Sequence, residues 1–126
     1  MGDRALIIFR DSHEYSPTVY LHWKGGEVGE LLTKAAPRMR GGDASYACAR
    51  FVGVCHENMP GGYSLGLFNT PEDGRPRSHG DAGVFVVNVT SGEVETYGGY
   101  GFDYDRPELP LRFGGTVVPG HPHRGR

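Results

Sequence analysis

The sequence predicts an α+β protein in which a mostly antiparallel five-stranded sheet carries two helices on one face. Three observations predict it: strand-like and helix-like periodicities follow one another in the order ββααβββ, glycine and proline separate them, and 126 residues suit one domain. We assign residues 1–98 to this domain. Residues 99–126 form an extended tail rich in glycine, proline and aromatic residues, which we expect to pack on the domain or on a partner subunit.

The chain opens with two predicted strands. Residues 5–10 are apolar on both faces, which is typical of an interior strand. Residues 18–23 alternate, so the two segments indicate a hairpin with one buried face. The alternation places Trp23, the single tryptophan, in the core and the histidine before it on the opposite face.

Two helices follow the first strand pair. Apolar residues recur at helical spacing from residue 28 to residue 35, and Asp43 is a suitable N-cap for a second helix over residues 44–57. Cys48 and Cys55 lie two turns apart in that helix, so their α-carbons are about 10 Å apart at 1.5 Å per residue. This separation exceeds the reach of a disulfide, and we expect two reduced core cysteines.

Three further strands complete the predicted domain. Residues 63–68 and the apolar run 83–89 have strand character, and residues 93–97 alternate as in a solvated outer strand. Between the first two lies a hydrophilic stretch over residues 69–82, which indicates a long surface loop. Loops of this length frequently carry function.

Composition limits the classes of partner. The formal net charge is −2 and the pI is near 6.3, so we do not expect binding to duplex nucleic acid, although the basic connector 38–40 allows a local patch. The sequence has no run of about eighteen apolar residues and no leader-like N-terminus. These features predict a cytoplasmic protein without a membrane partner.

The junction between the second strand and the first helix is one candidate site. Tyr20, His22 and Lys24 precede and adjoin a double glycine, at a point where backbone N–H groups have no intrahelical partner. An aromatic ring, an imidazole and an ammonium there suit a small polar or anionic ligand. The alternative is a half-exposed strand histidine that is hydrogen-bonded to a neighbour. We interpret the three residues as one wall of a pocket whose other wall comes from the second helix or the long loop.

The second helix and the long loop carry the remaining candidates. Tyr46, Arg50 and Glu57 recur at helical spacing and suit one polar strip, and Asp81 lies in the loop. An arginine with a glutamate partner is usually structural, but it is also what a phosphate or carboxylate pocket needs. His56 and Glu57 end the helix, where they either satisfy terminal carbonyls or form an acid–base pair.

No motif in the sequence fixes a cofactor or a catalytic residue. Nucleophile-elbow, Walker and dinucleotide-binding patterns are absent, as are Cys-x-x-Cys and an i,i+4 histidine pair. His121 and His123 near the C-terminus indicate adventitious metal binding rather than a built site. We therefore expect no metal and no cofactor, and we leave enzymatic activity open while favouring its absence.

Several stretches together resemble a family of small proteins encoded by phages, plasmids and other mobile elements. They are R-A-L-I-I-F-R-D at 4–11, S-P-T-V-Y-L-H-W at 16–23, Y-A-C-A-R-F at 46–51, S-L-G at 64–66 and G-D-A-G at 80–83. The resemblance covers roughly residues 3–100 and omits the tail. It implies a role in the conflict between mobile element and host, either inhibiting a defence protein or trapping its nucleotide signal.

Three functional hypotheses follow. The first is a binding protein that inhibits host defence by sequestering a nucleotide-like ligand or by blocking a host protein. The second is a small hydrolase of a phosphoester or glycosidic bond that uses His22 or His56 with Glu57. The third is a structural or assembly protein, a homodimer or other homo-oligomer, whose tail wraps a partner subunit.

Overall fold

The computed structural model describes residues 3–23, 25–58, 65–77, 82–98 and 104, together with the backbone of residues 108–112. Six strands and two α-helices lie in these ranges. They are β1 (Ala5–Arg10), β2 (Thr18–Leu21), α1 (Val28–Ala35), α2 (Ala44–Asn58), β3 (Leu65–Phe68), β4 (Gly83–Asn88), β5 (Glu93–Tyr97) and β6 (Glu108–Arg112).

The strands form one sheet in the order β3-β2-β1-β4-β5-β6. Four of the pairings are antiparallel, and that of β1 with β4 is parallel. The α+β prediction is confirmed, but the sheet is mixed and gains a sixth strand from the segment assigned to the tail. β1 and β4 are the two uniformly apolar strands, the pattern of strands buried on both faces, and they pair at the centre of the sheet.

Both helices pack on one face of the sheet, as the pattern predicts. Alternate residues of β1 point to this face, and they meet the apolar stripes of α1 and α2 in the main core. Phe9 and Phe51 are fully buried there, with ring centroids 5.4 Å apart and planes tilted by 56°. Cys48 and Cys55 lie in the same core and are free, as expected from their spacing.

Two aspartates fix the start of α2. The Asp43 carboxylate accepts a hydrogen bond from the backbone N–H of Tyr46 at 3.0 Å, which confirms the predicted N-cap. Asp11, in the turn after β1, accepts the N–H of Ala44 at 2.8 Å and also the N–H groups of His13 and Glu14. The first turn of the chain and the buried helix are thereby held in one arrangement.

The opposite face of the sheet, called the helix-free face below, is also covered. Leu6, Val84 and Val86 are buried on it, and the rings of Tyr20 and Tyr104 pack against this second apolar cluster. The cover comes from aromatic side chains and from the loop 69–77 rather than from a helix. This face carries most of the polar and aromatic groups considered below.

The predicted burial of Trp23 is wrong. Its side chain is 43% exposed, and its ring meets the edge of the His22 ring with centroids 4.7 Å apart. β2 ends at Leu21, where the backbone leaves the sheet, so strand alternation no longer determines where the following side chains point. Val19 and Leu21, which lie within the strand, are buried as predicted.

Candidate functional site

The strand residues of the first candidate site lie together on the helix-free face. The hydroxyl of Tyr20 and Nδ1 of His22 are hydrogen-bonded at 2.7 Å, and the two rings are 6.1 Å apart. The Tyr20 ring also lies 5.6 Å from the ring of Phe68 on the edge strand β3. His22 is thus half-buried and bonded to its neighbour, which is the simpler of the two sequence interpretations.

The backbone N–H groups of the double glycine after β2 already donate hydrogen bonds to acceptors within the chain. The carbonyl oxygen of Asp3 accepts the N–H of Gly25 at 2.8 Å, and its carboxylate accepts the N–H of Gly26 at 2.8 Å. A side chain at Gly25 would meet the Asp3 carbonyl oxygen at 2.5 Å, so the approach requires glycine. These N–H groups therefore bind the carbonyl and carboxylate oxygens of Asp3 where the sequence suggested an external anion. Lys24 lies outside the described residues.

The three candidate residues on α2 form two separate contacts. Tyr46 and Arg50 touch, with the guanidinium carbon of Arg50 4.4 Å from the centre of the Tyr46 ring. Glu57 instead pairs with Arg38 at 2.8 Å on the surface, and this hydrogen bond holds the pKa of Glu57 below its usual range. The predicted strip of three residues is therefore divided, because Arg38 takes the glutamate. Asp81 lies outside the described residues.

These two groups of candidates do not share a pocket. Tyr20 packs on the helix-free face, whereas α2 packs on the other face of the sheet. The second helix consequently cannot supply the opposing wall for Tyr20 and His22. For the same reason His22 does not meet His56 or Glu57, whose convergence the hydrolase hypothesis requires.

The helix-free face contains a cavity of about 370 Å³, within the range of small-molecule sites. Its floor is Val86 of β4. Most of the remaining lining consists of charged and tyrosine side chains from β1, the turn after it, the loop 69–77, β5 and the chain beyond β5: Arg10, Tyr15, Asp73, Arg75, Glu95, Tyr97 and Tyr104.

Alternation along the strands places the sheet residues in this cavity. Arg10 ends β1 on the same face as Leu6, while Glu95 pairs with Val86 and Tyr97 pairs with Val84 across β4 and β5. In a solvated outer strand these side chains would be exposed to water. Here the loop and Tyr104 cover them, and Tyr97 is left almost fully buried.

The loop that covers the cavity is held at its base and at its tip. Thr70 bonds to the hydroxyl of Thr18 at 2.7 Å and to the carbonyl oxygen of Ser16. The N–H of Gly74 donates to the carbonyl oxygen of Pro71 at 2.9 Å, which closes a turn in which Gly74 has φ near +70°. A Cβ at this glycine would overlap the ring of Tyr15, so glycine permits the loop to lie against that ring.

Beyond the loop, Tyr104 closes the cavity. Its hydroxyl donates to the carbonyl oxygen of Pro76, its ring lies 4.8 Å from that of Tyr97, and the Arg75 guanidinium lies 5.4 Å from its ring centre. Burial raises the pKa of Tyr104 to about 12. Burial, and then the Glu95 carboxylate, raise the pKa of Tyr97.

Arg10 is a cationic side chain of the cavity that has no acceptor among the described residues. Its side chain is half-buried, and within the described ranges its guanidinium forms no hydrogen bond or ion pair. Its positive charge acts to lower the pKa of Tyr97, against the larger effect of burial. Partly buried guanidiniums normally have a carboxylate or other acceptor. An acceptor supplied by a ligand would complete this one.

The sequence interpretation missed most residues of the cavity. It singled out the loop 69–82 but none of its side chains near the cavity, and it assigned Arg10, Glu95 and Tyr97 to ordinary strands. One signal was available: Arg10 is a charged residue that ends an otherwise apolar strand on the face shared with Leu6. Tyr15 and Tyr104 carried no such signal, because only the folded chain brings them to the cavity.

Comparison with family models, curated proteins and solved structures finds no match for this chain. Within the described ranges, no three His, Cys, Asp or Glu side chains are grouped so as to hold a metal ion. In the same part of the chain, neither helix has the length and apolar content needed to cross a bilayer.

Proposed function

We propose that this protein binds a nucleotide-like ligand in the cavity of the helix-free face and sequesters it without chemical change. The observation that carries the proposal is the Arg10 guanidinium, which has no acceptor among the described residues and lies in a cavity lined by three tyrosines. Guanidinium binds phosphate through paired hydrogen bonds, and tyrosine rings stack on bases.

The carboxylates narrow the class of ligand. Asp73 and Glu95 line the same cavity and would repel a ligand that is anionic throughout. They suit a ligand with one anionic group and separate hydrogen-bond donors, such as the amino group of a base or the hydroxyls of a ribose. A nucleotide has both parts, and the cavity volume is of the size that binds small molecules.

The lining favours sequestration over catalysis by a serine, a cysteine or a histidine. The described lining residues include no histidine, cysteine or serine that could act as a nucleophile or as a general base near neutral pH. A mobile-element protein that inhibits host defence by holding a nucleotide signal fits this chemistry and the resemblance noted in the sequence. Blocking of a host protein is the alternative within the same proposal.

Titration with the four nucleoside 5′-monophosphates, followed in ¹H–¹⁵N correlation spectra, tests the proposal. At least one nucleotide is expected to shift resonances of residues 73–75 and 93–97 in a saturable way. Arg10→Gln removes a charge-assisted contact and should weaken that binding about 10- to 100-fold. Arg38→Gln is the matched control, because Arg38 is an exposed arginine paired with Glu57 outside the cavity.

Two results would overturn the proposal. One is the absence of saturable shifts at the cavity with all four nucleotides at millimolar concentration. The other is equal affinity of the wild type and the Arg10→Gln variant. Native mass spectrometry of the purified protein adds a check on sequestration, since any co-purified nucleotide should be released intact rather than as a cleavage product.

A further inference from the structure

A second cluster on the helical side of the molecule has the composition of an anion site. The guanidinium carbons of Arg40 and Arg50 lie 3.8 Å and 4.4 Å from the centre of the Tyr46 ring. Both side chains also donate hydrogen bonds to the Tyr46 hydroxyl oxygen, Arg40 at 3.1 Å. Two positive charges thus converge on one neutral phenol.

No carboxylate among the described residues neutralises either of these charges. Arg38, two residues away from Arg40, pairs with the Glu57 carboxylate at 2.8 Å. Within the described part of the chain, Arg40 and Arg50 form no ion pair with a carboxylate, and Tyr46 is their common partner. Two guanidiniums held this close repel each other, and an anion between them would remove the repulsion.

The Tyr46 hydroxyl contributes a third donor. Its oxygen accepts both arginine hydrogen bonds, because a guanidinium can only donate. Its own hydrogen is therefore left to be donated, and no acceptor for it is found among the described residues. Two guanidiniums and the Tyr46 O–H accordingly meet at one point on the surface, and among the described residues no carboxylate accepts a hydrogen bond from any of them.

The backbone holds these three residues in place before any ligand arrives. Tyr46 and Arg50 lie one turn apart on α2, and the Asp43 carboxylate caps the N–H of Tyr46. The N–H of Asp43 in turn donates to the carbonyl oxygen of Arg40 at 3.3 Å, so the connector is tied to the same helix start. Pre-organisation of this kind lowers the entropic cost of binding.

We propose that Arg40, Tyr46 and Arg50 form a binding site for a phosphate group. Two guanidinium groups and a hydroxyl offer donors from separate directions, which suits the several oxygens of a tetrahedral phosphate better than the two oxygens of a planar carboxylate. The site lies on the face of the sheet opposite to the cavity. It therefore stands or falls independently of the proposed nucleotide binding.

Titration of the full chain with inorganic phosphate, against sodium chloride at equal ionic strength, tests this site. Saturable shifts are expected in the side-chain Nε–H resonances of Arg40 and Arg50. Tyr46→Phe keeps the ring between the arginines and removes one donor, so the affinity should fall about tenfold. Arg50→Gln should abolish saturable binding. Arg38→Gln is the control that should retain the wild-type affinity, because Arg38 pairs with Glu57 and not with Tyr46.

Parallel titration with phenyl phosphate separates the two sources of the phosphate group. A monoester that binds at least as tightly as the inorganic ion identifies a phosphate carried by a larger molecule, and preference for the inorganic ion identifies free phosphate. The proposal is overturned if the wild type shows no phosphate effect beyond that of chloride, or if folded Arg50→Gln binds phosphate as the wild type does.

Discussion

The ring of Tyr104 lies 4.8 Å from the ring of Tyr97, at an angle of 54°. This contact joins the strand β5 to a residue that follows it in the chain, and it closes one side of the cavity. Among the described tyrosines, these two have pKa values that the fold raises. Their ionisation consequently reports on whether the cavity is closed.

Alkaline titration is expected to weaken the fold. The pKa of Tyr104 is raised to about 12, against about 10 for an exposed tyrosine, so the neutral phenol favours the folded state. This contribution is complete below pH 10 and is lost as the pH rises towards 12. The free energy of unfolding should fall over that interval, and Tyr104→Phe should reduce the fall. Simultaneous ionisation of all seven tyrosines near pH 10 would contradict the raised pKa of Tyr104.

Gly74→Ala should damage the cavity more than the fold. A methyl group at this position would overlap the Tyr15 ring, and the φ of +70° already disfavours any residue except glycine. The loop or the ring must move, so nucleotide binding should be lost while the loss in unfolding free energy stays at about 1–3 kcal/mol. Calorimetric titration and urea unfolding measure the two effects separately.

Gly53→Ala is the matched control for that substitution. Gly53 lies in the interior of α2, is exposed, and leaves open space around an added methyl group. Alanine should therefore raise the free energy of unfolding by about 1 kcal/mol through its helix propensity. Ligand binding should not change. A drop in stability would contradict the open space around Gly53.

Cys48 and Cys55 should resist thiol reagents in the folded protein. Burial raises the pKa of both thiols, to about 12 for Cys55, so the reactive thiolate is scarce at pH 8. Mass spectrometry after iodoacetamide treatment should find no label in native buffer and two labels in denaturant. Rapid labelling of the native protein at either cysteine would contradict the buried placement.

Phe51→Ala should be among the most destabilising single changes. Phe51 is fully buried and packs against Phe9 at the centre of the contact between α2 and the sheet. Loss of the ring should cost about 3–5 kcal/mol in urea unfolding, whereas Phe51→Leu, which keeps most of the volume, should cost about 1–2 kcal/mol. A loss below about 1 kcal/mol for alanine would contradict the packing described.

Local patterns account for most of the elements. Periodicity predicts a helix whose apolar residues run from 28 to 35, and capping places the start of α2 just after Asp43; both helices are observed there. β1 and β5 also match their predicted bounds. Each of these elements depends on residues close in sequence, so the local sequence pattern is enough to predict it.

The arrangement of the elements depends on contacts that no local pattern contains. The parallel pairing of Ala5 with Gly83 joins distant parts of the chain, and the strand β6 lies in a segment whose composition suggested an extended tail. The cavity has the same origin. Tyr15, Asp73 and Tyr104 meet only because the fold brings the turn after β1, the loop 69–77 and Tyr104 to the helix-free face.

The central β1–β4 pair sets the order in which the chain can acquire its structure during synthesis. β1 leaves the ribosome before β4, yet every one of its residues pairs with β4, which is made after both helices and β3. Contacts so distant in sequence form slowly, and until they form, an apolar strand has one edge open to other chains. Nascent chains that stop before residue 83 should therefore depend on chaperones more than the 126-residue chain does.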